Sequence, residues 1–309
     1  MRQAEHRPTS AAPAPELSIV LYFIKPAPFL NEALASIISQ LSDGLELVVV
    51  AGHPPGEEIG IAPELKPRID RLIVEPDRGG WDAANKGWHA ARGRWIQFCM
   101  SDDWLPEGSV AGTLQALRHS ESAELLSGGM SFVANSGDGK TRLIRSVPAQ
   151  PLSFERVLDD VCSPSVIYRR DLLDRLGGFD GRFGYSHDRE LLLRAWRLGI
   201  EHRTLAHEVY RMRMHALSRS TSGDRTVRLT ALGEHVAFAD DLLARRELAV
   251  GQRRKLTRWR DEELVKHRIL CGLGGGGASL ALDAPITVPR IAAAVARIAR
   301  RKLALSRGR

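Results

Sequence analysis

The first hundred residues constrain the fold more than any other stretch, because strand-length apolar runs alternate there with helical ones. Residues 17–23 (LSIVLYF), 45–50 (LELVVV), 71–74 and 94–100 (RWIQFCM) are short, apolar and partly β-branched. Between them, residues 29–41 place Phe29, Leu30, Ala33, Leu34, Ile37, Ile38 and Leu41 at helical spacing, and Gly44 stops the run. Residues 81–91 read as a second helix, ended by Gly93. Parallel strands need a crossover between them, and strands covered on both faces read as unbroken apolar runs. The pattern predicts βαβ units and an α/β fold with a mainly parallel sheet flanked by helices.

The rest of the chain changes character. Residues 125–145 hold strand-like pieces around Gly137-Asp138-Gly139, a hairpin signal, and residues 163–168 read as another strand. Residues 188–198 form a helix whose apolar side is Leu191, Leu192, Ala195, Trp196 and Leu198. Beyond Asp224 the text is helical and charged until GLGGGG at 272–277, a linker signature. The expected division is a flexible lead-in over 1–15, an α/β domain over 16–222, a helical extension over 223–271, a Gly-rich linker over 272–285 and a C-terminal helix over 286–309.

Charge separates the two ends. The chain carries a net +7, yet residues 251–309 hold 14 Lys/Arg against 4 Asp/Glu, while the preceding residues hold 30 against 33. A mildly acidic body with a basic tail argues against a nucleic-acid surface. The helix over 286–305, with Ile291, Val295 and Ile298 beside Arg290, Arg297 and Arg301, predicts docking on an anionic membrane surface or a partner. The alternative is a solvated helical face. No uncharged apolar run reaches the ~18–20 residues of a membrane span, and the N-terminus lacks a signal-peptide core. Cys99, Cys162 and Cys271 are scattered, without metal-type spacing. These features predict a cytoplasmic protein, peripheral on the inner face of the plasma membrane.

Ser101-Asp102-Asp103 follows the fourth strand directly. Ligands of open α/β sheets bind beyond the carboxyl ends of the strands. Adjacent carboxylates repel unless a cation sits beside them, and oxygen ligands suit Mg²⁺ or Mn²⁺. The competing reading is a turn and helix cap. Trp81, Trp88, Trp95 and Trp104 crowd one segment; Trp81 and Trp104 flank motifs and could stack on a sugar or base, whereas Trp88 and Trp95 read as packing.

The stretch 74–87, VEPDRGGWDAANKG, resembles the EPD-x-G-x-x-D-A-x-N-K-G block of the family 2 inverting glycosyltransferases, nucleotide-sugar-dependent enzymes of GT-A fold. Further matches follow in family order: LSIVLYF, Ser101-Asp102-Asp103, Gly177-Gly178-Phe179-Asp180 with His187-Asp188-Arg189-Glu190-Leu191, and Met214-His215-Ala216-Leu217-Ser218 in an R-x-H-x-x-S segment. The resemblance implies a Rossmann-like GT-A sheet over about 16–222. It implies that Asp77, Arg78, Asp82, Asn85, Lys86 and Asp102 bind the nucleotide-sugar donor. Asp102, Asp103 and His215 would hold Mn²⁺ or Mg²⁺, and Asp188 would be the general base. The implied reaction is transfer of a sugar, with inversion, from a nucleotide-diphosphate sugar to a hydroxyl of a saccharide or lipid-linked acceptor, in bacterial cell-surface polysaccharide or lipopolysaccharide assembly. An ordinary Asp is already ionised at neutral pH, as such a base must be.

The sequence departs from the family pattern after the second strand, where Ala51 stands in the approximate place of the base-contacting acid. Residues 24–28 lack the usual Thr and Asn, and Met100 stands where many members have Asp or Asn. The implied donor is UDP-linked, with the base left open by Ala51. A non-catalytic nucleotide-sugar or glycan-binding module is the alternative, as is a membrane-docked scaffold.

Overall fold

A computed structural model describes residues 14–23, 28–135, 141–159, 163–215, 218, 224–245, 247–272 and 286–307. The core is β1 (Leu17–Phe23), β2 (Leu45–Ala51), β3 (Arg71–Val74) and β4 (Trp95–Met100), with β1 parallel to both β2 and β4, and β2 parallel to β3. Side chains alternate across these strands with period two. Val20, Tyr22, Val48, Val50, Ile96 and Phe98 pack on one face, whereas Leu17, Ile19, Leu21, Leu47, Val49 and Cys99 pack on the other. α1 (Leu30–Ile38) and α3 (Ser109–Leu117) cover the second face with Leu30, Leu34, Ile37, Val110 and Leu117. α2 (Gly80–Ala90) covers the first with Ala83, Ala84 and Trp88.

β5 (Leu125–Asn135), β6 (Thr141–Val147), β7 (Val166–Arg169) and β8 (His202–Arg213) extend the sheet. β7 is antiparallel to β4 and to β5, so two reversals leave β5 running with β4. β8 is parallel to β5 and therefore also runs with β4. β7 pairs the first part of β5 and β6 the later part, both opposite β8. In consequence the carboxyl ends of β1, β2, β3, β4 and β8 all open on one edge of the sheet. β8 was not legible in the sequence: its text, HRTLAHEVYRMR, is polar at most positions.

α4 (Phe154–Asp159), α5 (Arg170–Leu176) and α6 (His187–Arg197) lie on the α2 side, with Phe154, Leu172 and Leu191 in its core. The helical extension is α7 (Arg225–Ala244) and α8 (Val250–Gly272), which put Phe238, Leu242, Leu256 and Trp259 into that same core. The extension and the sheet domain thus share one hydrophobic cluster. The hairpin tip at 137–139, Cys162 and the linker over 273–285 fall outside the described residues.

α9 (Val288–Arg307) differs from the free basic tail that its charge suggests. Arg290 donates twice to buried Asp261, at 2.8 and 2.7 Å, and Arg297 donates to buried Glu262 at 2.5 Å. Arg301 lies 3.6 Å from Glu262. Arg290, Arg297 and Arg301 are thus turned onto α8, and Val288 and Val295 are left exposed.

Candidate functional site

The site is built at the shared carboxyl edge. After β4 the chain turns through Ser101, Asp102 and Asp103, and after β8 it runs through Met214 to His215. Because the two strands are co-directional, these segments meet: His215 Nε2 lies 2.9 Å from Asp102 Oδ2, with both side chains partly exposed. Ser218 closes the turn, its Oγ donating to the Arg213 carbonyl and accepting from the His215 amide. The Phe29 ring meets the His215 imidazole edge-on at 5.2 Å.

Asp103 is placed differently from the metal ligand expected of it. It is only 3% exposed, and both carboxylate oxygens are engaged. Oδ1 accepts from the Arg213 amide at 2.7 Å, and Oδ2 accepts from the Tyr210 hydroxyl at 2.7 Å. Burial, and then the Asp102 charge, push its pKa up to about 7 against those two donors. Asp103 ties the β4 turn to β8, leaving Asp102 and His215 as the pair turned outward. Asp102 would supply the kind of oxygen ligand that Mn²⁺ or Mg²⁺ favours, with His215 beside it and diphosphate oxygens and water needed to complete the shell, since no group of three or more His, Cys, Asp or Glu gathers among the described residues.

Arg213 holds this corner together, a role missed in the sequence although it is the Arg of the R-x-H-x-x-S segment. It is 4% exposed, with its guanidinium 3.9 Å from the Phe29 ring centroid and 4.5 Å from that of Trp104. It donates to the Asp102 carbonyl at 3.1 Å, to Asn135 at 2.8 Å and to Glu32 at 2.6 Å. Trp104 therefore stacks on an arginine, where a sugar or base had been expected. Trp88 and Trp95 are buried, as packing residues should be.

The block expected to bind the donor sits at the end of β3 and the start of α2, where free helix amides favour phosphate. Asp82 accepts from the Arg78 amide and guanidinium and lies 3.4 Å from Lys86. Burial alone would raise its pKa, but these partners hold it below the usual carboxylate range. Lys86 also donates to the Pro76 carbonyl at 2.5 Å, fixing the loop that carries Asp77 and Arg78. Arg78 is largely exposed and stacks on Trp81 at 4.6 Å. Asp77 Oδ1 accepts from the Gly79 amide, while buried Oδ2 has no hydrogen-bond partner among the described residues. A Cβ on Gly52 would fall 1.8 Å from that oxygen, so Asp77 closes directly over the chain leaving β2, next to Ala51. Burial pushes Asp77 up.

Asn85, expected at the donor, is turned to the Gly-Gly-Phe-Asp segment. Its Nδ2 donates to the Phe179 carbonyl and its Oδ1 accepts from the Phe179 amide, each at 2.9 Å, and from Trp88 Nε1 at 3.0 Å. The amide thus completes a backbone-like pair with the Gly-Gly-Phe-Asp segment. Gly178 permits that approach: its φ is +67°, and a Cβ there would lie 2.5 Å from Asn85 Oδ1. Phe179 in turn meets the His187 ring at 5.2 Å, linking α2 to the start of α6. Asp188 lies in the first turn of α6, partly exposed, with Oδ1 accepting from the Arg189 amide.

Known proteins share this architecture. A PGL/p-HBAD biosynthesis glycosyltransferase of Mycobacterium tuberculosis is 28% identical over 187 residues, covering 59% of this chain and 70% of that protein. S. aureus TarS 1–349 in complex with UDP-GlcNAc superposes with TM-score 0.59 at 15% identity, over 90% of this chain and 79% of the other. The mannosyltransferase PcManGT from Pyrobaculum calidifontis, in complex with GDP-Man and Mn²⁺, gives TM-score 0.55 at 18% identity, over 94% and 81%. These neighbours share the GT-A-like fold of a mostly parallel sheet between helices. The model of glycosyl transferase family 2 matches residues 18–177, more than half of the chain, and the chain belongs to that family.

Proposed function

We propose that this glycosyltransferase moves a sugar from a nucleotide-diphosphate sugar to a hydroxyl of a saccharide or lipid-linked acceptor, with inversion, in cell-surface glycan assembly. The observation that carries this reading is the Asp102–His215 pair, held at the sheet edge beside the donor-side block. Bound there, Mn²⁺ or Mg²⁺ would neutralise charge on the departing diphosphate. Arg78 and the start of α2 would meet phosphate, and Asp77 the nucleoside. Asp188, in the first turn of α6, would accept the proton of the attacking hydroxyl. The ligands of the two structural neighbours, UDP-GlcNAc and GDP-Man, support a nucleotide-sugar donor and leave its base open. The exposed side of α9, with Val288, Val295 and Arg300, would be the surface that meets an anionic membrane.

Donor turnover by Asp188→Asn tests the mechanism. Loss of a general base predicts a fall of roughly 10²–10⁴-fold in turnover, with donor affinity nearly unchanged. Near-normal turnover would make Asp188 a helix-start residue only and leave the reaction without its base.

A further inference from the structure

We infer that Glu234, on α7, is a positioning residue for the acceptor side of the site, acting through Asp188; the inference rests on Asp188 being the base. The loop entering α6 presents three consecutive amides to one side chain. Glu234 Oε1 accepts from Gly184 at 2.8 Å, and Oε2 accepts from Tyr185 at 2.9 Å and Ser186 at 2.8 Å. Ser186 immediately precedes α6, and Asp188 is that helix's second residue. Consecutive amides converging on one point form an anion-binding nest, here filled by the protein's own carboxylate. Burial raises the pKa of Glu234, and the three amides work against that rise. Charge-assisted bonds are about twice as strong as neutral ones, so this clamp fixes the loop firmly. It also gives the extension a task within the site: α7 is anchored by Phe238, Ala239 and Leu242 in the shared core, and Glu234 reaches from it to the start of α6.

Because the clamp acts through Asp188, a double-mutant cycle separates it from general support of the fold. Turnover of the best donor in a panel of UDP- and GDP-linked sugars is measured with Mn²⁺ for Glu234→Gln, Glu234→Ala, Asp188→Asn and the double variants. Affinity for UDP and GDP with Mn²⁺ is measured alongside. Misplacing a reacting group by about 1 Å costs on the order of 10²-fold. Glu234→Ala is therefore expected to lower kcat ten- to a hundredfold, with a smaller loss for Glu234→Gln, which keeps one acceptor oxygen. Diphosphate affinity should stay unchanged, and neither substitution should lower kcat further in the Asp188→Asn background. Unchanged kcat, an equal loss in that background, or a parallel fall in nucleotide affinity would overturn the assignment. If Asp188→Asn itself keeps full turnover while Glu234→Ala does not, the base assignment fails and with it the route proposed for Glu234. Glu234→Gln keeps the side-chain volume, so the test survives if the alanine variant folds poorly.

Discussion

Two adjacent carboxylates, alike in sequence, acquire different tasks because the chain turns between them. Asp102 faces outward to His215, and Asp103 faces inward to Tyr210 and the Arg213 amide. Asp102→Asn is expected to keep the melting midpoint and abolish the extra thermal stabilisation that UDP or GDP gains from Mn²⁺, since only ligand binding to the native state raises stability by mass action. Asp103→Asn should instead lower the midpoint, by about 1–3 kcal/mol of stability, because a buried hydrogen-bond partner is lost. The opposite assignment of effects in thermal-shift titrations would return the metal role to Asp103. His202, on β8, shows a further fate that sequence does not reveal. Its Nδ1 accepts from the Leu152 amide, so the ring proton sits on Nε2, which donates to Ser127 Oγ. Burial holds its pKa down at about 4, against 6.5 for an ordinary histidine. The unfolded chain takes up this proton near pH 6.5 and the folded chain only near 4. Stability is therefore unaffected above 6.5 and falls as pH drops from 6.5 toward 4, by at most about 1.4 kcal/mol per pH unit. Thermal melts of His202→Gln should show a shallower fall across that window; equal slopes would clear His202 of the effect.

At the scale of elements, α2 was legible with its boundaries almost in place, yet the work of its side chains was not. Asp82 and Lys86 lie four apart on one helix face, a relation that sequence gives directly. Asn85 points elsewhere because its partner, the Phe179 backbone, lies 94 residues away. Asn85→Ala leaves that amide and carbonyl and the Trp88 indole without their partner. It should cost about 1–3 kcal/mol of stability for each group left buried and unpaired. Nucleotide affinity, measured calorimetrically where the variant is folded, should hardly move; a loss of affinity without loss of stability would make Asn85 a donor ligand after all. β8 is the element that sequence hid. Its Arg, His and Glu residues mask the strand signal, and its pairing with β5 joins residues about 80 positions apart.

For the molecule as a whole, three arginines of the basic helix α9, Arg290, Arg297 and Arg301, meet acids on α8. Asp261 and Glu262 are almost fully buried, and Arg290 and Arg297 reach them from α9. Removing one side of a buried ion pair typically costs about 3–5 kcal/mol. Deleting residues 286–309 is therefore expected to lower the melting midpoint by several degrees, whereas a free tail would leave it unchanged. Liposome flotation of the intact chain tests the remaining exposed face: recovery should be greater with anionic than with neutral vesicles and should fall with salt.

The sequence by itself determined the βαβ half of the protein, because there each strand and helix is specified by its own periodicity and by neighbours close along the chain. It also determined which residues are chemically equipped for the site, since the carboxylates, the histidine and the glycines of the motifs stand in a fixed order. Tertiary structure alone decided which of those groups face outward. Asp102 rather than Asp103 turns to His215 because β8 returns parallel to β4 and brings Tyr210 and Arg213 against one carboxylate only. Register between strands about 70 to 80 residues apart, β7 on β4 and β8 on β5, is set by burial and backbone hydrogen bonding over the whole sheet, and no local pattern encodes it.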